Sequence, residues 1–308
     1  MDSKFALYVV KRLLLAIVTI FLVITITFFV MNAIPGGPFL SEKALSDEVI
    51  AALEAKYGLD KPLMEQYWTY LKDILHFDFG PSLKQRGRDV IDIILTGFKT
   101  SAKVGGIAAL IAIALGVTMG SIAAIRRNKP LDKTIMVLST AFVATPGFII
   151  ASFFLIIFCV KLPWFPARGD TFFGLILPIV CLSLYPMSYI TRLTRSSMLD
   201  ILGQDYIRTA RAKGVSRNKV IFKHALKNAL IPVLTYIGPM IAYILTGSLV
   251  VEKIFSVPGL GRAFVNSITN RDYTLIMGTT IFLASAIVIM TLVTDILYKL
   301  VDPRIDFS

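Results

Sequence analysis

The sequence lacks charged residues over six long stretches, each of which contains no Asp, Glu, Lys or Arg. The stretches are 13–41, 104–125, 134–160, 171–191, 228–251 and 273–294. Because an α-helix rises about 1.5 Å per residue, about 20 apolar residues cross the roughly 30 Å hydrocarbon core of a bilayer. Charged residues make up only 17% of the chain, against 56% hydrophobic residues. The sequence therefore predicts an all-α membrane protein with six transmembrane helices and excludes a soluble enzyme or a disordered chain.

Residues that carry catalysis, metal binding or ion coupling are also scarce. The only cysteines, Cys159 and Cys181, lie inside apolar stretches without a disulfide or metal-ligand pattern. Both histidines, His76 and His224, lie outside the stretches, which counts against an intramembrane enzyme. The stretches lack the ionisable groups of a proton- or ion-coupled carrier, and Glu252 is expected just beyond the outer end of the fifth span. No Gly-Lys dipeptide occurs, so no Walker A loop is present and another subunit would have to supply energy.

Positive charge is concentrated in one loop rather than spread over the chain. The net charge is +12, and residues 192–227 hold nine basic residues beside Asp200 and Asp205. With the N-terminus inside, the short internal segments hold 18 basic residues and the short external loops hold five. Positive residues favour the cytoplasmic side of a membrane. Both termini are therefore predicted to be cytoplasmic, and nucleic acid is not an expected partner.

The region 42–103 is the one sizeable segment outside the predicted spans. A first helix is predicted to begin after Ser46 or Asp47 and to end at Gly58, and a second to begin around Pro62. Apolar residues at helical spacing form one face of each helix: Val49, Ile50, Leu53 and Tyr57 in the first, and Leu63, Tyr67, Leu71 and Leu75 in the second. These helices are predicted to form a small structural cap on the outer face.

Prolines interrupt the later spans at Pro146, Pro178, Pro186, Pro232 and Pro239. Each removes a backbone donor, and a carbonyl freed in this way needs another partner inside a membrane. Such bends are tolerated where they face protein or a wet cavity. Spans three to five are therefore predicted to form cavity walls, with Pro146, Pro186 and Pro239 as candidate residues of a substrate path.

The basic loop 192–227 is predicted to form two helices separated by a break. The first is predicted over 204–213, Gly214 is expected to take a left-handed conformation, and Ser216 is expected to cap the next helix. The small residues of this region are Thr209, Ala210, Ala212 and Gly214. Small side chains would let another protein approach closely, but a basic loop could equally rest on anionic lipid headgroups. Residue chemistry alone leaves both interpretations open.

Short motifs along essentially the whole chain resemble those of a known protein family. The run Arg208-Thr209-Ala210-x-x-x-Gly214 resembles the EAA loop of ABC importer permeases, and further motifs resemble the peptide branch of that family. They are PGGPF at 35–39, DFGPS at 78–82, RLTRSSM at 192–198, HALKNAL at 224–230, PGLG at 258–261, RDY at 271–273 and DPR at 302–304. Arg208 stands where the general loop has Glu, and Thr209 where it has Ala, a variant typical of the peptide branch.

The resemblance implies a type I ABC importer permease fold in a bacterial inner or plasma membrane. It implies a permease subunit of an ATP-driven oligopeptide importer, with dipeptides, nickel or another small solute as alternative cargoes. The loop motif and the uncharged spans count against the remaining alternative, a stand-alone channel or ion-coupled carrier. The implied partners are a homologous second permease, two ATPase subunits that bind ATP and magnesium, and an extracytoplasmic peptide-binding protein. The chain itself would hold no cofactor, no metal and no catalytic residue. The coupling loop would dock on an ATPase through Asp205, Arg208, Thr209, Ala210, Lys213 and Gly214.

The expected organisation follows from the stretches and the resemblance together. Residues 1–31 would form the first transmembrane helix, 32–98 an extracytoplasmic helical region, 99–298 the permease core and 299–308 a cytoplasmic tail. The core helices are expected at about 104–125, 134–160, 171–191, 228–251 and 273–297, with the coupling loop at 192–227.

Overall fold

The computed structural model describes residues 3–35, 37, 39, 47–245 and 248–301. Ser46, positions 36 and 38 of the first motif, and residues 302–308 of the predicted tail lie outside the described residues. The described part forms α1 (Ser3–Ala33), α2 (Asp47–Tyr57), α3 (Leu63–Leu75), α4 (Val90–Ile125), α5 (Pro130–Ala144), α6 (Gly147–Phe154), α7 (Phe172–Leu202), α8 (Asp205–Ala212), α9 (Arg217–Lys219), α10 (Lys227–Ala229), α11 (Ile231–Leu245), α12 (Leu249–Ile254), α13 (Leu260–Asn270) and α14 (Tyr273–Val301). Two π-helical segments, Leu155–Lys161 and Val220–Leu226, follow α6 and α9.

Among the residues that the structure describes, six regions are long and apolar enough to cross a membrane when one bent pair is counted as a single span. Five are continuous candidates: Leu7–Ala33, Val90–Ile125, Phe172–Leu202, Ile231–Ile254 and Tyr273–Thr294. The sixth joins Pro130–Ala144 to Gly147–Lys161 across a bend of 103°. The predicted all-helical fold with six membrane-crossing regions is confirmed. The α4 helix begins well before the second uncharged stretch because a helix can continue past the hydrocarbon into water.

The bend in the third span lies at a proline, as the sequence predicts. Thr145 is extended, with φ −87° and ψ 124°, and Pro146 precedes the first turn of α6. A proline ring disfavours helical geometry in the residue before it and supplies no N–H, so α5 ends at this point. Pro178 and Pro186, by contrast, lie inside α7 without ending it.

Contacts divide the chain into two compact units. The first unit comprises Met1–Thr100 and Pro258–Leu292, and the second comprises Ser101–Val257 and Val293–Ser308.

In the first unit, the cap helix α3 packs on α1 through an aromatic cluster. The Phe28 ring lies 5.3 Å from the Tyr67 ring and 5.8 Å from the Tyr70 ring, and the Tyr67 hydroxyl lies 2.7 Å from Thr25 Oγ. Tyr67 is buried as predicted, but Leu63 and Leu75, predicted on the same face, are 42% and 79% exposed. Residues four apart drift around a helix, so only the middle of this short face meets α1.

A buried carboxylate ties the loops of the first unit to α14. Asp272 is 1% exposed and accepts hydrogen bonds from the Ser82 hydroxyl and from the backbone N–H of Leu83 at 3.1 Å. It also accepts from the Thr274 hydroxyl at 3.2 Å and the Leu275 N–H at 3.3 Å. A carboxylate at a helix N-terminus satisfies amides that have no partner inside the helix. Asp272 therefore fixes both the start of α14 and the segment around Ser82.

In the second unit, α4 approaches α7 and α11 closely at several glycines, among them Gly105 and Gly120. A Cβ on Gly105 would lie 2.5 Å from the Ile244 carbonyl oxygen, and a Cβ on Gly120 would lie 2.5 Å from that of Thr191. Membrane helices associate through small residues that let their backbones come together. These contacts determine which faces of α7 and α11 remain available for other interactions.

Candidate coupling loop and substrate cavity

The α8 loop, residues 204–216, follows directly from the end of α7. Gln204 precedes the first residue of α8, and Ile207 on this helix is completely buried. Ile207 belongs to a hydrophobic cluster built from the ends of α4 and α7 and from the segment after the loop; its buried members are Ala124, Met198, Ile207, Val220, Ile221, Ala225 and Ala229. The loop is thus anchored by its own apolar residues rather than lying free.

The end of α8 has the hydrogen-bond pattern of a Schellman motif. The Gly214 N–H donates to the Arg211 carbonyl at 3.0 Å, and the Val215 N–H donates to the Ala210 carbonyl at 3.2 Å. Gly214 has φ +75°, so the predicted left-handed conformation is confirmed. Glycine adopts this conformation without the steric penalty that a Cβ brings. The backbone of the loop is therefore fixed by local hydrogen bonds at its most exposed corner.

The predicted coupling residues present a mixed polar surface. The side chains of Asp205 and Arg208 are 94% and 74% exposed and lie 3.4 Å apart, and Thr209, Lys213 and Gly214 are also exposed. Ala210 differs from them, because it is half-buried against the loop's own cluster.

Ser216 precedes α9 as predicted, but its side chain makes no capping hydrogen bond. The predicted position of this cap is confirmed, whereas the predicted interaction is wrong. The helix Arg217–Lys219 passes directly into the π-helical segment Val220–Leu226, so continuous helical winding holds its start without a side-chain cap.

An ion pair braces α7 just before the loop. Arg195 Nε and Nη2 donate to Asp132 Oδ1 and Oδ2 at 2.6 and 2.8 Å. Asp132 also accepts from the Asn128 N–H at 2.8 Å, and its side chain is only 3% exposed. The planar guanidinium matches a carboxylate with two parallel hydrogen bonds. This pair joins the first turn of α5 to α7, a long-range contact that the charge count alone does not reveal.

Two of the predicted path prolines line one cavity of the second unit. This tyrosine cavity has a volume of about 510 Å³, within the roughly 300–1,000 Å³ typical of ligand pockets. Its wall consists of Gly147, Cys181, Leu182, Tyr185, Pro186, Tyr236, Pro239, Met240, Tyr243, Ile244, Ser248 and Val251. Pro186 and Pro239 belong to this wall, whereas Pro146 does not. Pro146 instead makes the bend that brings its neighbour Gly147 into the wall.

Three tyrosines on α7 and α11 dominate the polar chemistry of the cavity. Tyr185 and Tyr243 are 49% and 72% exposed, and Tyr236 is half-buried and stacks on Tyr189 with ring centroids 4.2 Å apart. None of the wall residues that the structure describes is Asp, Glu, Lys, Arg or His. These tyrosines were not among the residues predicted from the sequence. A phenol hydroxyl well inside an apolar span is nevertheless a usable signal, since it needs a polar partner there.

Glu252, expected just beyond the outer end of the fifth span, instead lies within the candidate span Ile231–Ile254 and is 1% exposed. Ser101 Oγ donates a 2.6 Å hydrogen bond to Glu252 Oε1. Buried polar groups are tolerated where hydrogen bonds compensate them, so an acidic residue does not by itself mark the end of a helix.

Comparisons with known proteins agree with this architecture. Residues 116–307 match the family described as binding-protein-dependent transport system inner membrane component, and residues 5–105 match its N-terminal family. The chain is 44% identical to the oligopeptide transport system permease protein OppB of Salmonella typhimurium, over 97% of this chain and 99% of that protein. It is 48% identical to the dipeptide transport system permease protein DppB of Bacillus subtilis, over 97% and 98%.

A solved structure supports the same fold independently. The crystal structure of an amino acid ABC transporter with histidines matches with a TM-score of 0.52 at 17% sequence identity. The match covers 70% of this chain and 95% of the other. At this identity the comparison shows that the folds are alike.

Proposed function

This chain belongs to the binding-protein-dependent inner-membrane components and is a permease subunit of a bacterial ABC importer, and we propose that the cargo of the importer is oligopeptides. The observation that carries the proposal is the near full-length similarity to a protein named as an oligopeptide permease. The chain would form half of the translocation pathway, and a homologous second permease would form the other half. An extracytoplasmic peptide-binding protein would deliver the cargo.

Energy would come from two partner ATPases that bind ATP and magnesium and dock on the α8 loop. The fixed corner at Gly214 and the exposed Arg208, Thr209 and Lys213 support this role, because docking needs a rigid backbone and an accessible surface. Inward- and outward-facing forms of the permease would then respond to the nucleotide state of the ATPases. In this arrangement both termini and the loop face the cytoplasm, and the α2–α3 cap faces outward.

The dipeptide alternative has a specific observation in its favour, which is the 48% identity to a protein named as a dipeptide permease. The test is to reconstitute the chain with a second permease, two ATPases and a binding protein in liposomes. Uptake of labelled di-, tri- and pentapeptides and of nickel would then be measured at saturating cargo. We expect ATP-dependent uptake of the longer peptides. Uptake restricted to dipeptides, or to nickel, would replace the proposed cargo.

A second measurement tests whether ATP is hydrolysed by the partner ATPases rather than by this chain. The purified chain alone should hydrolyse no ATP, and hydrolysis should appear when the ATPases and second permease are added. ATP hydrolysis by the isolated, contaminant-free chain would overturn the assignment of energy supply to the partners.

A further inference from the structure

The tyrosine cavity combines features that no single sequence motif brings together. Tyr185 comes from the middle of α7, and Tyr236 and Tyr243 come from α11, seven residues and thus about two helical turns apart. All three lie well inside the apolar stretches 171–191 and 228–251. Membrane tyrosines normally concentrate at the water interfaces, where the hydroxyl is hydrated. Their grouping places three hydroxyl-bearing side chains around one concave surface that is otherwise mostly apolar.

The backbone of the cavity wall supplies a further polar group. Pro186 has no N–H, so it gives no hydrogen bond to the carbonyl of Leu182, four residues earlier in α7. Leu182 and Pro186 both belong to the cavity wall. One hydrogen bond of the α7 ladder is therefore missing between two residues of the cavity wall. A carbonyl at such a place suits a donor N–H from a bound molecule.

The wall offers hydrogen bonds in both directions but no charge. A tyrosine hydroxyl both donates and accepts, as does the Ser248 hydroxyl on the same wall. A peptide backbone presents N–H donors and carbonyl acceptors in alternation, and it is the part that all peptides share. Aromatic faces also contact side chains of many kinds through dispersion. In a low-dielectric site, a single fixed charge would instead strongly attract or repel charged cargo.

We propose that the tyrosine cavity recognises the backbone of the transported peptide through the hydroxyls of Tyr185, Tyr236 and Tyr243, and that it is indifferent to the charge of the peptide side chains. This inference rests on the proposed peptide-import function. It assigns to the permease a contact surface that selects for peptide chemistry as a class. Selection among peptides is then left to other components of the importer.

The experiment uses the complete reconstituted importer and three length-matched peptides with acidic, neutral or basic side chains, each at saturating concentration. A fourth peptide, N-methylated along its backbone, lacks the N–H donors. For the wild-type complex we expect maximal uptake rates of the three unmodified peptides within about threefold of one another, and at least about tenfold slower uptake of the methylated peptide. The Tyr185→Phe/Tyr243→Phe variant should slow all three unmodified peptides by a common factor of about tenfold.

Placing a charge in the cavity gives the decisive measurement. Tyr243→Asp should slow the acidic peptide at least about tenfold more than the basic one, and Tyr243→Lys should reverse that order. Tyr57→Phe, in the first unit and far from this wall in sequence, is the matched control and should leave all rates unchanged. Equal losses for all peptides in both charged variants, or no loss in either, would overturn the proposal. Failure of the wild-type complex to import any peptide would instead refute the proposed function.

Discussion

The α8 loop and the tyrosine cavity belong to the same unit, but their surfaces differ in charge. The loop carries exposed charges at Asp205, Arg208 and Lys213, and its corner is fixed by a Schellman motif. The cavity has no charged wall residue among those described and is lined by aromatic and aliphatic side chains. A fixed backbone favours binding of one defined partner, whereas a neutral surface favours passage of chemically varied cargo. Backbone changes should therefore damage the loop most, and introduced charges should damage the cavity most.

The largest effect on peptide uptake is expected from a substitution at Gly214, the corner of the α8 loop. Gly214→Val places a β-branched residue at φ +75°, which costs about 1–3 kcal/mol or reshapes the end of α8. Apart from its immediate chain neighbours, no residue has an atom within 4 Å of the added Cβ, so the penalty is conformational and membrane abundance should stay near normal. Peptide uptake and co-purification of the ATPases should be lost.

Gly214→Asn is the matched control for this prediction, because asparagine tolerates the left-handed conformation better than other residues with a side chain. It should retain most of the uptake. Normal uptake by Gly214→Val, together with impaired uptake by Lys219→Gln, would favour a headgroup contact over ATPase docking.

A second pair of variants separates docking from internal packing. Ala212 is exposed, whereas Ala210 is half-buried against the cluster around Ile207. Ala212→Asp should weaken ATPase docking by a few kcal/mol, roughly the cost of burying an unpaired charge at a contact, and leave abundance unchanged. Ala210→Asp should impair uptake and also lower thermal stability.

Binding of the purified ATPases, measured beside melting temperature, distinguishes these two effects. Normal ATPase binding by Ala212→Asp would show that the small side chains serve only to pack the loop, and the contact surface would have to be placed elsewhere.

The ion pair behind the loop should contribute to stability more than to cargo selection. Asp132→Ala leaves the Arg195 guanidinium without its bidentate partner, at a cost of about 2–4 kcal/mol for a largely buried pair. The melting temperature should fall, while the relative uptake rates of acidic and basic peptides stay unchanged. Glu65→Gln removes the exposed Lys61–Glu65 pair and should leave the melting temperature unaffected. Equal melting temperatures for Asp132→Ala and wild type would contradict a bracing role.

The smallest structural change is expected from single cysteine substitutions, which test on which side of the membrane the α8 loop and the helices α2 and α3 lie. In a background with Cys159 and Cys181 replaced by alanine, single cysteines are introduced at Asn218, near the loop, and at Ala55, in the cap. Both positions are exposed, so substitution should not disturb folding. An impermeant thiol reagent applied to intact cells should label position 55 only. Labelling at position 218 from outside would reverse the orientation.

Local chemistry determined much of this protein. The uncharged stretches predicted six membrane-crossing regions because every backbone amide in lipid must find a partner within its own helix. The left-handed Gly214 and the bend at Pro146 were also predictable, since each follows from the steric properties of one residue and its immediate neighbours.

Only the tertiary structure decided how residues distant in sequence meet. Glu252 is buried where Ser101, on a different helix, can donate to it, and Asp132 is paired because α7 brings Arg195 within reach. The tyrosines of α7 and α11 face one cavity because helix rotation is set by packing, including the close approach of α4 at Gly105. The periodicity of an almost uniformly apolar helix contains little information about its rotation, because lipid and protein surroundings accept the same side chains.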